Sequence, residues 1–110
     1  MAMAWTVETL NGTVDAELAE LPADMRARLV RISELIESVG LSNVREPHVR
    51  HLRAQVWEIR LKGKAGIARA LYVTAKEQRA VIVRVFIKKT ERTPAGEIAL
   101  AQQRARELNR

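Results

Sequence analysis

The hydrophobic residues of the first half of the chain recur with helical spacing. One apolar stripe, with intervals of four, three, four and three residues, predicts a long helix that begins near Pro22 and ends at Gly40. A shorter helix from about residue 13 or 15 to residue 20 is predicted before it, and residues 5–10 have the pattern of a strand. The stripe of the long helix consists of Met25, Leu29, Ile32, Ile36 and Val39.

The second half of the chain alternates with the period of two that is typical of strands. Strands are predicted over residues 49–53, 56–62, 67–74 and 79–87. In the second of these, Trp57, Ile59 and Leu61 share one face. The last is apolar on both faces except at Arg84, which predicts a central strand.

A final helix is predicted from Pro94, with Thr93 as its N-cap residue. Its inner stripe would be Ile98, Ala101, Ala105 and Leu108, while Arg104, Arg106 and Arg110 would point elsewhere. The helical hairpin has an apolar stripe to bury, and a sheet is the available partner. We therefore expect one α+β domain over residues 1–110, with an N-terminal strand and a helical hairpin packed on an antiparallel β-sheet, and a C-terminal helix.

Charge is distributed unevenly along the chain. Residues 1–44 hold seven acidic and three basic residues, a net charge of −4, whereas residues 45–110 hold sixteen basic and six acidic residues, a net charge of +10. The basic residues are interleaved within the predicted strands instead of forming a tail. This asymmetry favours a polyanion or an acidic protein as partner over a merely solvated surface.

Composition argues against several other classes of protein. Cysteine is absent, which excludes disulfides and thiolate metal sites, and the pattern of His48 and His51 does not support a zinc site. We expect no metal and no cofactor. Neither a membrane span nor a signal peptide is predicted, so the expected location is the cytoplasm.

The segment between Arg50 and Arg106 carries a combination of motifs. These are Arg50-His51-Leu52, Trp57-Glu58-Ile59-Arg60, Arg69-Ala70-Leu71-Tyr72 and a basic turn from Phe86 to Pro94. In this order they resemble the toxins of type II toxin–antitoxin systems in the RelE/ParE superfamily, in particular the HigB-like, phage-derived branch. Members of this superfamily are small α+β domains with a helical hairpin on one face of an antiparallel sheet.

The resemblance implies a metal-independent endoribonuclease that cuts messenger RNA on the ribosome. Such a toxin is silenced by a cognate antitoxin, here expected to be a helix-turn-helix DNA-binding protein. RNA cleavage needs a base for the 2′-hydroxyl, cations for the phosphorane and an acid for the leaving 5′-oxygen. The residues expected to take part in catalysis are Arg60, Arg69, Lys88, Lys89 and Glu58. Those expected to bind the nucleic acid are Arg50, His51, Arg53, Lys62, Lys64, Arg84 and Arg92.

Several alternatives stay open at this point. Arg69 and Arg84 could instead form ion pairs with Glu58 or another carboxylate, because a charge inside an apolar strand is uncommon unless it is paired or functional. Either Glu58 or His51 could be the general base. The tyrosine that some RelE-like enzymes carry near the start of the last helix is missing here. A ParE-like gyrase inhibitor and a non-catalytic phage nucleic-acid-binding accessory domain are therefore competing functions.

Overall fold

The computed structural model describes residues 4–44, 48–88 and 92–109. Its helices and strands follow one another as the sequence pattern predicts, within two residues at most boundaries. The elements are β1 (Thr6–Thr9), α1 (Gly12–Ala19), α2 (Ala23–Val39), β2 (Val49–Arg53), β3 (Val56–Gly63), β4 (Gly66–Ala75), β5 (Arg79–Lys88) and α3 (Ala95–Ala105). Single 3₁₀ turns at Leu41–Asn43 and Arg106–Asn109 follow α2 and α3.

The five strands form one sheet in the order β1-β5-β4-β3-β2. Strands β2 to β5 are joined by short turns and pair antiparallel. β1 differs, since it pairs with β5 in parallel, so the sheet is mixed and not purely antiparallel. A parallel neighbour is possible here because a long connection through α1 and α2 separates β1 from the other strands.

One face of the sheet is covered by the helical hairpin, and we call it the hairpin face. The predicted stripe of α2 packs there, with Met25 and Ile36 completely buried. It meets Ile59 and Leu61 from β3 and the small residues of β4. Val39 is an exception to the predicted stripe, because this last residue of α2 is 44% exposed. Gly40 then ends the helix with a positive φ of 88°, which favours glycine.

The opposite face is covered by α3, and we call it the α3 face. Its smaller core joins Leu71 and Val73 of β4 and Val81 and Val83 of β5 to Ile98, Ala101 and Ala105 of the helix. The sheet is therefore buried on both sides, which explains why β4 and β5 are apolar in both alternating sets. β5 is an interior strand, as predicted, although β4 occupies the middle position.

The outer edge of β5 is completed by side chains. β1 pairs with β5 only as far as Ile82, so the next backbone groups on that side have no strand partner. The Val85 N–H donates to Glu17 Oε1 at 3.0 Å, and Arg104 Nη1 donates to the Val83 carbonyl at 2.9 Å. Arg104 was expected to point elsewhere, but it is needed here because buried peptide groups require partners.

Candidate functional site

A buried ion pair lies on the α3 face at the junction of β3 and β4. Glu58 and Arg69 are diagonal neighbours, since Glu58 faces Leu71 and Arg69 faces Arg60 across the two strands. Glu58 is completely buried and Arg69 is 1% exposed. The Arg69 Nη1 donates to both oxygens of the Glu58 carboxylate. The ion-pair alternative thus holds for Arg69.

Thr93 completes this arrangement from the segment before α3. Its Oγ1 accepts a hydrogen bond from Arg69 Nη1 at 2.8 Å and donates to Glu58 Oε2 at 2.7 Å. The predicted N-cap role is wrong, because Pro94 occupies the cap position and no side chain caps α3. The hydroxyl is engaged with the ion pair instead. The start of α3 is thereby tied to the buried charges, and we call Glu58, Arg69 and Thr93 the buried triad.

A basic pocket of about 290 Å³ opens above the buried triad. Its wall is formed by the edge strand β2 on one side and by the segment that leads into α3 on the other. None of the described side chains that line it is acidic, so it is suited to an anion such as a phosphate. The lining residues are Arg50, His51, Leu52, Arg53, Arg69, Arg92, Thr93 and Ile98.

His51 combines exposure with a fixed ring orientation. Its Nε2 lies 2.7 Å from the Ala54 carbonyl oxygen, and its ring packs on Trp57 with the centroids 4.7 Å apart. A carbonyl can only accept, so Nε2 must carry the proton of this hydrogen bond. In the neutral imidazole the other nitrogen, Nδ1, is then an acceptor. An acceptor nitrogen at the wall of a basic pocket can take a proton from a bound hydroxyl group.

Comparisons with known proteins identify the family of this chain. Residues 16–106 match the family described as "Phage derived protein Gp49-like". The chain belongs to this family. No curated protein sequence matches the chain.

Solved structures show the same fold for this Gp49-like protein. A double arginine-to-alanine mutant of the E. coli toxin RelE in the free state has a TM-score of 0.63 at 13% identity, covering 93% of this chain and 98% of that one. RelE in the archaeal RelE–RelB complex from Pyrococcus horikoshii has a TM-score of 0.58 at 20% identity, covering 79% and 98%. Family and fold together confirm the resemblance to the toxins of the RelE/ParE superfamily.

Other predicted site residues of this Gp49-like protein lie on the α3 face beyond the pocket. Arg60 is half-buried directly across from Arg69, and Lys62 and Lys88 flank Ile67 on the neighbouring strands. They extend the basic surface along the sheet, although they do not line the pocket. Lys64 is exposed in the turn after β3, and its N–H donates to Asp24. Lys89 lies outside the described residues.

Arg84 was expected to bind nucleic acid, but it lies in a separate network of ion pairs. Its guanidinium donates to Glu17 at 2.8 Å and to Glu97 at 2.8 and 3.0 Å, and it packs against the Phe86 ring. The hydrogen bond to Glu97 raises the pKa of Arg84, although burial opposes the shift. The guanidinium therefore joins α1 to α3, and the ion-pair alternative holds here also.

Glu17 is the centre of that network. Burial acts to raise its pKa, but hydrogen bonds from Arg104, from the Val85 N–H and from Arg84 together outweigh it and lower the pKa. Its role could not be predicted from the sequence, because its partners lie 67 to 87 positions away. We call Glu17, Arg84, Glu97 and Arg104 the latch.

Two further classes of site are absent from the described part of the chain. No group of three histidine, cysteine or acidic side chains comes together as a metal site there. None of the helices in the described ranges is both long and apolar enough to cross a membrane.

Proposed function

We propose that this RelE-like toxin is a metal-independent endoribonuclease that inhibits translation by cutting messenger RNA on the ribosome. The observation that carries the proposal is the basic pocket above the buried triad. A toxin that acts only by docking on a protein has no need of a concave anion site with a histidine in its wall. An RNase needs both, because cations and a proton acceptor must meet at one phosphate.

The roles of the pocket residues follow from their exposure and partners. Arg50 and Arg53 project from the edge strand as exposed cations, and Arg92 faces them from the segment before α3. These three would hold the phosphate oxygens, since a guanidinium can donate two parallel hydrogen bonds. Arg69 at the floor has its charge balanced by Glu58, so the positive charge at the phosphate would come from the three arginines of the wall. Preorganised charge of this kind stabilises a developing phosphorane with little reorganisation.

His51 is a better candidate for the general base than Glu58. The Glu58 carboxylate is completely buried and bonded to Arg69 and Thr93. Its role would be to orient the guanidinium. His51 is exposed and has Nδ1 available as an acceptor in the neutral form. Geometry thus favours the imidazole as the group that removes the proton from the 2′-hydroxyl.

The reaction would proceed by attack within the RNA strand. The 2′-oxygen bonds to the adjacent phosphorus as its proton passes to His51, and the bond from phosphorus to the 5′-oxygen breaks. A proton must reach the leaving 5′-oxygen, and Lys88 or Arg60 on the adjoining basic surface, or Lys89 from outside the described residues, would supply it or further charge. The products are a 2′,3′-cyclic phosphate and a 5′-hydroxyl end. No oxidant, metal or cofactor enters this balance.

A cognate antitoxin would neutralise the toxin by covering the same basic surface. Residues 45–110 carry a net charge of +10, which an acidic or amphipathic segment of a helix-turn-helix protein would complement. Complex formation should be fast and should slow as salt is added, because exposed charges steer the encounter. A co-purified antitoxin whose interface avoids the pocket and the adjoining Arg60 and Lys88 would contradict this part of the proposal.

The proposal is tested in a cell-free translation extract to which one defined messenger RNA is added. The purified protein should cut the message within the translated region, and mapping the 5′-ends should show breaks that disappear when initiation is blocked. His51→Ala should lose most of the cleavage, while Lys76→Ala, in the turn between β4 and β5, should cut as the parent does. Intact message together with inhibited gyrase supercoiling would replace the proposal by the ParE-like one.

A further inference from the structure

A second concave site lies on the hairpin face, on the other side of the edge strand. It is a cleft of about 780 Å³ between the end of α2, the start of β1 and strands β2 to β4. Both tryptophans of the chain line it. The polar lining includes three hydroxyl groups, one guanidinium and one imidazole, and none of the described lining residues is acidic. The lining residues are Trp5, Leu41, Ser42, Val44, Val49, Arg50, His51, Trp57, Tyr72 and Thr74.

The cleft contains an unsatisfied polar group. Tyr72 lines it from β4, is completely buried, and its hydroxyl has no hydrogen-bond partner. Burial accordingly raises the pKa of Tyr72. A buried hydroxyl without a partner costs stability, and it is found in folded proteins where a ligand or water can satisfy it.

An aromatic platform accompanies this hydroxyl. Trp57 is 38% exposed, whereas Val56, which precedes it in β3, is fully buried. The ring of His51 packs on Trp57. Large rings left accessible at a cleft are suited to stacking, and every nucleobase offers a π-face. A purely apolar side chain would fill the cleft but would leave the Tyr72 hydroxyl unsatisfied. The chemistry therefore favours a planar ligand that also carries hydrogen-bonding atoms.

The cleft and the basic pocket are adjacent. Arg50 and His51 line both, because β2 is the outermost strand and separates the two sites. A polyanion whose phosphate lies among the arginines of the pocket can therefore cross β2 beside Arg50 and His51.

We infer that the cleft is a nucleobase subsite, in which one base of the RNA stacks on Trp57 and hydrogen-bonds to Tyr72 while a neighbouring phosphate occupies the basic pocket. This inference rests on the proposed RNA cleavage and adds a second contact to it. The subsite would fix which nucleotide lies at the reacting phosphate. It would also give the toxin a base preference independent of the ribosome.

Tryptophan fluorescence offers a direct test, since both tryptophans line the cleft. The full-length protein is titrated with uridine and adenosine 5′-monophosphates, and with ribose 5-phosphate as a probe that lacks the base. The nucleotides should quench the emission in a saturable manner, whereas ribose 5-phosphate should not. Equal quenching by ribose 5-phosphate, or none by either nucleotide at millimolar concentration, overturns the inference.

Two variants separate a binding role from a structural one. Tyr72→Phe should melt at a higher temperature than the parent, because it removes an unsatisfied buried hydroxyl, yet its dissociation constant for the preferred nucleotide should rise roughly five- to tenfold. Trp57→Ala should weaken binding about tenfold or more. Val30→Ala, which removes an apolar side chain that is 58% exposed on α2, should bind as the parent does. Parental affinity in Tyr72→Phe would refute the hydrogen bond and with it the subsite.

Further measurements identify a different occupant of the cleft and distinguish a failure of the subsite from a failure of the proposed cleavage. If N-acetylphenylalaninamide saturates the cleft and the nucleotides do not, the cleft receives an aromatic side chain of a protein partner and the nucleobase assignment is wrong. A parent that cuts message in the extract but shows no nucleotide quenching keeps the proposed function and loses the subsite. Quenching by a parent that leaves the message intact supports the subsite while contradicting the cleavage.

Discussion

The two faces of the sheet are stabilised by different means. On the hairpin face, α2 buries a regular stripe of large aliphatic side chains against β3 and β4. On the α3 face the apolar core is smaller, and charged groups lie beside it, buried in the pair of Glu58 and Arg69 and partly buried in the latch. Apolar packing is non-directional, whereas buried charges require specific partners at specific distances. The buried triad and the floor of the basic pocket lie on the second kind of face.

Because of this difference, the effects of substitutions on the free energy of unfolding and on cleavage can be measured separately. Truncating a side chain of the α2 stripe, away from the cleft, should lower the free energy of unfolding without changing the chemistry of the pocket. On the α3 face the same residues contribute to both, because the triad holds the pocket floor and also neutralises its own buried charge. A substitution there must be matched by a second one before an effect on cleavage can be interpreted.

The largest effect is expected from Arg69→Ala. It leaves the Glu58 carboxylate completely buried and without its cation, which should cost roughly 3–5 kcal/mol of unfolding free energy. The double variant Glu58→Leu with Arg69→Met should recover most of that stability, because apolar groups of similar volume can replace a buried pair. Denaturant titration of both variants checks this. A single variant as stable as the parent would mean that the pair is not buried in solution.

The same double variant also tests whether the buried triad takes part in cleavage. We expect it to fold and to lose message cleavage, because Arg69 is no longer at the pocket floor. If a folded double variant cut message at the parental rate, the triad would be structural and the phosphate would be held elsewhere.

On the hairpin face, Leu29→Ala should cost roughly 2–5 kcal/mol by leaving a cavity between α2 and the sheet. Val30→Ala is the matched control on the next residue, and its effect should stay within about 0.5 kcal/mol. At a temperature where Leu29→Ala is still folded, its cleavage rate should equal the parental one. A slower rate under those conditions would show that the packing of α2 on the sheet, away from the cleft, also affects the reaction.

A smaller, pH-dependent effect is expected from the latch. The pKa of Glu17 is lowered in the folded protein from its ordinary value of 4.5, so its contribution is complete above that value and is lost as the pH falls through the folded-state pKa. Glu17→Gln should cost roughly 1–3 kcal/mol near neutral pH. The difference between variant and parent should shrink as the pH is lowered below 4.5. Urea titrations at several pH values measure it, and a difference independent of pH would contradict the assignment.

The sequence predicted those parts of the fold that depend on local periodicity. The stripe of α2, the alternation of β3 and the apolar β5 all follow from spacing, and each is found where it was expected. The parallel pairing of β1 was not predictable, since it depends on the path of the chain through the helices. The exposure of Val39 was also missed, because a helical stripe does not reveal where the packing partner ends.

The candidate site was predicted in part for a related reason. Arg50, Arg53, Arg92 and His51 were identified by charge and motif, and they do line one pocket. The ion pair of Glu58 with Arg69 was predicted only as an alternative, because the alternation of Glu58 with Arg60 does not reveal that α3 covers this part of the face. Thr93 was identified as a helix cap, whereas its hydroxyl meets a residue 35 positions away. Long-range partners of this kind leave no signal in a single sequence.

Two double variants, each lacking two positive charges, test most directly whether the basic pocket is the active site. Arg50→Ala with Arg53→Ala removes exposed cations from the pocket, and Arg28→Ala with Arg31→Ala removes two exposed cations at the same spacing from α2. Both double variants have the same net charge, so long-range attraction to RNA is lowered similarly in each. We expect the first variant to cut ribosome-bound message at least about a hundredfold more slowly, because preorganised charge at a reacting phosphate is removed. The second should cut near the parental rate. Equal rates in the two variants would contradict the assignment of the active site to the basic pocket.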